Sequence, residues 1–73
     1  MVRNCLKEQL AEKIGREKRS ISLRQMARES GVSVWTLSRF SRGIMAEYPA
    51  DVLAKLCAYF NCGVGDLLRY EMN

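Results

Sequence analysis

The sequence predicts an all-α domain, a compact bundle of five helices. Apolar residues recur at steps of three and four through most of the 73 residues. No segment alternates in the manner of a strand, and no hairpin dipeptide separates two apolar runs. Serine starts and glycine stops punctuate the periodic segments where helices need them. Seventy-three residues make one domain (1–73), and a domain this small must bury its core economically.

The first helix is expected over residues 4–18, with Leu6, Leu10 and Ile14 as a narrow apolar stripe and Arg3, Lys7, Lys13, Arg16 and Lys18 around it. Gly15 is either a flaw inside this helix or the mark of its fraying end. The second helix, residues 23–30, opens on Ser22 as N-cap, with Gln25 completing a capping box and Ile21 and Met26 in the staple positions. Gly31 ends it. Ser33 caps the third helix, residues 34–41, and Val32 staples onto Leu37. Gly43 stops that helix. Two short helices separated only by Gly31, Val32 and Ser33 must meet at a steep angle, which is helix-turn-helix geometry. After a loop, Pro49 sits in the first turn of the fourth helix. Val52, Leu53, Leu56, Cys57 and Phe60 form its apolar face. A short last helix, residues 65–70, brings Leu67 and Leu68 to the core, with Asp66 near its positive end.

The composition excludes several functions. No apolar run reaches the roughly 18 residues of a membrane span, and the first residues lack the apolar stretch of a signal peptide, so a cytoplasmic location is expected. Three cysteines, Cys5, Cys57 and Cys62, with no histidine and no CxxC pair, point to buried thiols rather than a disulfide framework or zinc. There is no glycine-rich phosphate loop and no acid pair in an evident pocket, so the chain is not expected to be an enzyme. Neither a cofactor nor a small-molecule ligand is evident.

Net charge is +4, and its distribution is uneven. Residues 1–43 carry ten Lys/Arg against four acids, and residues 44–73 carry two against four. A positive field on one side suits an anionic partner, of which nucleic acid is the usual candidate.

The third helix carries the chemistry. Leu37 and Phe40 point to the core, while Trp35, Ser38, Arg39 and Arg42 share one stripe. A helix about 10–12 Å wide fits the major groove of B-DNA, about 12 Å across. Arg39 can fork onto guanine O6 and N7, Ser38 can donate or accept, and the indole or Val34 can press on a thymine methyl. Arg42 and Arg24 lie at helix ends suited to phosphates, as do the N–H groups opening the second helix. The indole has an alternative place, folded back over the first helix or filling a dimer contact. For Arg16, Lys18 and Arg19, a solvated run competes equally with phosphate contact.

The stretch SISLRQMARESGVSVWTLSRFSRG resembles the helix-turn-helix of lambda-repressor-like, Cro-type regulators of the XRE family. The matching features are Ser22, Met26-Ala27, the turn Gly31-Val32-Ser33, the run Thr36-Leu37-Ser38-Arg39 and Gly43. The tail YPADVLAKLCAYFNCGVGDLLRYE is similar to the closing helices of small, single-domain members. The resemblance implies sequence-specific double-stranded DNA binding and transcriptional control as a homodimer. Carried over by position, Val34, Trp35, Ser38 and Arg39 would face bases, and Leu23, Arg24 and Arg42 would face the backbone. Two positions depart from the family pattern. Leu23 stands where glutamine is frequent, leaving only its N–H for phosphate, and Val34-Trp35 replace a polar or basic start to the recognition helix. Repression at a palindromic operator is the expected role, with Val64, Leu68, Tyr70 and Met72 as the dimer contact. The competing expectation is a protein-interaction module, an antitoxin or adaptor that uses the same fold without reading bases.

Overall fold

The computed structural model describes residues 2–70 and Met72. The chain runs β1 Val2–Asn4, α1 Leu6–Glu17, α2 Leu23–Ser30, α3 Val34–Arg42, α4 Ala50–Phe60, α5 Val64–Leu67 and β2 Leu68–Tyr70. The five expected helices are present in the expected order. None among the described residues is long and apolar enough to cross a membrane.

The all-α expectation needs one addition. β1 and β2 pair antiparallel, with Val2 opposite Tyr70, Arg3 opposite Arg69 and Asn4 opposite Leu68. This ladder shortens the helices at both ends of the chain. α1 begins at Leu6 rather than residue 4, and α5 ends at Leu67 rather than residue 70. Three-residue strands are too short to alternate visibly, and each pairs with a segment more than 60 positions away in the chain. The Cys5 N–H donates to the Leu67 carbonyl at 2.6 Å and closes the junction.

The helix starts and stops follow local chemistry. Ser22 Oγ accepts the Gln25 N–H at 3.1 Å, and Ser33 Oγ accepts the Thr36 N–H at 3.1 Å. The box at Ser22 is only half made, because the Gln25 amide turns forward and donates to Glu29 Oε2 at 3.2 Å. Gly31 (φ 81°) and Gly43 (φ 70°) close α2 and α3 in the left-handed conformation that favours glycine. Pro49 sits just before α4 as its N-cap rather than within the first turn, and its carbonyl accepts the Leu53 N–H at 3.0 Å.

Every helix contributes to one core: Leu6, Ile21, Met26, Val32, Leu37, Phe40, Leu56, Phe60 and Leu67. Both staple pairs, Ile21 with Met26 and Val32 with Leu37, lie within it. Leu10, Ile14, Ala27, Val52, Leu53 and Cys57 are half-buried at its edge. Tyr48 stands edge-on to Phe40 with ring centroids 4.9 Å apart.

Candidate nucleic-acid interface

The candidate interface is built on α3. Its rear, Leu37 and Phe40, is fully buried, which fixes the rotation of the helix. Its front is then determined: Trp35 is 69% exposed and Val34 41% exposed. Arg42 is exposed, while Ser38 and Arg39 are half-buried. The indole therefore faces outward rather than folding back over α1. Arg39 is not an extended, isolated side chain, because its guanidinium carbon lies 4.7 Å from the Trp35 ring centroid, a cation–π contact.

The end of α3 is anchored from the sheet. Asn4 Nδ2 donates to the Phe40 carbonyl at 2.9 Å, and Asn4 Oδ1 accepts the Leu6 N–H at 3.4 Å. One asparagine thus joins β1, the start of α1 and the last turn of α3. Nothing in the sequence marks it for this role, since its partner carbonyl is 36 positions away. A cleft of about 310 Å³ beside this anchor gathers Arg3, Lys7 and Arg42 on its walls, with Glu8 and Tyr48. Arg3 is paired with Glu8 at 3.6 Å. In the sequence Arg3 and Lys7 read as surface charges around the first helix; folding brings them beside Arg42 of the α3 stripe.

On α2, Arg24 and Arg28 are exposed. The Leu23 side chain packs against the core, so only its position at the helix start is left to meet an anion.

The joint between α2 and α3 is held from behind by α1 and α4. Arg19 grips Glu29 with two hydrogen bonds of 2.9 and 2.8 Å and also reaches Glu17 at 2.7 Å. Tyr59 donates its hydroxyl to Glu29 Oε1 at 2.7 Å. Lys13, expected among the surface cations, is instead buried. Its ammonium pairs with Glu17 at 2.6 Å, donates to the Tyr59 carbonyl at 3.1 Å and lies 4.4 Å from the centre of that ring. The Arg19 guanidinium, aided by the Tyr59 hydroxyl, holds the Glu29 carboxyl down at about 2. Burial, with the carboxylate beside it, pushes the Tyr59 phenol up to about 12. Of the three basic residues left open between solvent and phosphate, Arg19 is committed to this network, and Arg16 and Lys18 are exposed.

The three thiols are free, Cys5 buried and the other two half-buried. Burial pushes the Cys5 and Cys62 thiols above their ordinary value, so neither is primed as a nucleophile. Among the described residues no group of three or more Cys, Asp or Glu is placed to hold a metal.

Two short capped helices joined through residues 31–33, the second with an apolar rear and a basic front, define a helix-turn-helix DNA-binding module. The family model of the Cro/C1-type HTH DNA-binding domain matches residues 6–73, and the chain belongs to that family. A search of curated proteins finds none that matches it.

Proposed function

We propose that this protein is a sequence-specific transcriptional regulator, a repressor that occupies a palindromic operator as a homodimer. α3 enters the major groove. Val34, Trp35, Ser38 and Arg39 meet base edges there, while Arg24, Arg42 and the Leu23 N–H meet phosphates. The observation that carries the reading is the two-faced α3: Leu37 and Phe40 are sealed in the core, and Trp35 and Arg42 stand exposed on the opposite side. One such helix reads only a few base pairs, so a useful site needs two copies about 34 Å apart along the duplex. Val64, Tyr70 and Met72 are large apolar residues left exposed at the end of the chain, with Leu68 half-buried beside them. They supply the dimer contact in this reading. No catalytic step is assigned to the protein, and a cytoplasmic site of action follows from its DNA partner.

Selection of binding sites from random duplex DNA at two salt concentrations tests the reading. The expected result is a palindromic motif whose half-sites are one helical turn apart. Its affinity should fall steeply between about 50 and 200 mM salt. Recovery of no motif, together with salt-tolerant binding to a protein through the Val34–Trp35 surface, would replace it with the interaction-module reading.

A further inference from the structure

Trp35 and Arg39 do not act as two separate members of the α3 stripe. They are one helical turn apart, and the guanidinium carbon sits 4.7 Å from the indole centroid. The arginine is half-buried, whereas the tryptophan remains 69% exposed. One face of the indole is covered by a cation and the rest is open.

A stacked pair of this kind holds two unlike probes side by side. The guanidinium is a planar donor fork that matches guanine O6 and N7, and the indole is an apolar plate that matches the C5-methyl group of a pyrimidine. Neighbouring base pairs are about 3.4 Å apart along the duplex. With the stack aligned along the duplex axis, a separation of 4.7 Å within the pair sets the two probes on neighbouring base pairs rather than on the same one. Stacking also holds the long arginine chain near one orientation before DNA arrives, which lowers the ordering cost of forming the fork.

Building on the duplex-reading function above, we propose that Trp35 and Arg39 form a single reading unit for a 5-methylpyrimidine–guanine step, with Trp35 also the positioning residue for the Arg39 guanidinium. The ligand chemistry is a major-groove methyl group beside an O6/N7 acceptor pair. Thymine followed by guanine supplies it. Cytosine followed by guanine lacks the methyl, and 5-methylcytosine restores it. The protein is therefore sensitive to cytosine methylation at this step, and it favours the methylated form.

The test uses the full chain and a fluorescently labelled duplex carrying the selected site, followed by anisotropy. Four duplexes differ at the pyrimidine of the step: thymine, uracil, cytosine and 5-methylcytosine. Uracil is expected to bind about three- to fivefold more weakly than thymine, and cytosine more weakly than 5-methylcytosine by the same factor, the worth of one buried methyl group. In Trp35→Ala the thymine and uracil duplexes should bind alike. Replacing guanine by 7-deazaguanine should cost that variant less than it costs the wild type. Trp35→Phe should regain part of both effects, because a benzene ring retains a weaker cation–π face. The losses in Trp35→Ala and Arg39→Ala should combine to less than their product in the double variant. Circular dichroism confirms that each variant is folded.

A selected site without such a step, equal binding of thymine and uracil by the wild type, or a methyl preference that survives in Trp35→Ala would each overturn the proposal while leaving sequence-specific binding intact. Failure to prefer any duplex sequence would bring down the functional reading itself.

Discussion

Trp35 and Leu37 are two positions apart on α3 and meet opposite environments, the first 69% exposed and the second fully buried. At 3.6 residues per turn, two positions are separated by more than half a rotation, so a helix lying on a core must treat them differently. Leu37→Ala should leave a cavity among Met26, Phe40 and their neighbours in the core and cost about 2–5 kcal/mol. The fall would be read as a lowered urea midpoint at unchanged slope. Trp35→Ala should move that midpoint by no more than about 0.5 kcal/mol equivalent. A wild-type midpoint for Leu37→Ala would mean that α3 is not seated on the core as described. This front and back were legible in the sequence, because a period of 3.6 sorts them without tertiary knowledge. What the side chains do next was not. The Trp35–Arg39 stack depends on rotamers. Lys13 is buried because its apolar stem packs inward while the Tyr59 carbonyl and Glu17 satisfy its head, and α4 brings that carbonyl from 46 positions away.

The elements best read from sequence are those whose ends are fixed locally. Ser22, Ser33, Gly31 and Gly43 each act within four residues of their own position, and all four stand at the helix ends where expected. The two strands escaped because a three-residue ladder has no local signal; its register comes from the closing of the whole chain. α1 presents a third case. Gly15 lies inside the helix, exposed, and a methyl group added there would meet nothing within 4 Å. Of the two roles open to it, a flaw inside the helix is the one observed, and it costs backbone entropy without a packing return. Gly15→Ala should therefore stabilise the protein by roughly 0.5–1 kcal/mol. For a domain of this size that corresponds to a rise of about 2–8 °C in Tm. A lowered Tm would show that the helix needs glycine's conformational freedom at this point.

Across the whole molecule, the count of cations overstates how many of them face a partner. Lys13 and Arg19 belong to the positive first half of the chain, yet Lys13 is turned onto Glu17, and Arg19 onto Glu17 and Glu29, where with Tyr59 they bind α1, α2 and α4 into one frame. The exposed cations Arg24, Arg28 and Arg42 stand on the two helices which that frame supports. The frame has a pH signature. Glu29 titrates at about 2 in the folded protein, against an ordinary value of 4.5. A carboxyl lowered on folding contributes stability above its unfolded value and loses it as the pH falls towards the folded one. Wild-type Tm should therefore drop between about pH 5 and pH 2, whereas Glu29→Gln should start lower at neutral pH and fall less steeply, the two curves converging in acid. Tyr59 acts at the other end of the scale. Its phenol is raised from 10.0 to about 12, so its contribution is present below pH 10 and is lost as the pH climbs through the folded value. The side chains of Arg19 and Glu29 are about one-third exposed, at 33% and 31%, so molar salt should narrow the gap between wild type and Glu29→Gln at neutral pH. Parallel acid limbs for the two proteins would show that the frame is held by packing alone.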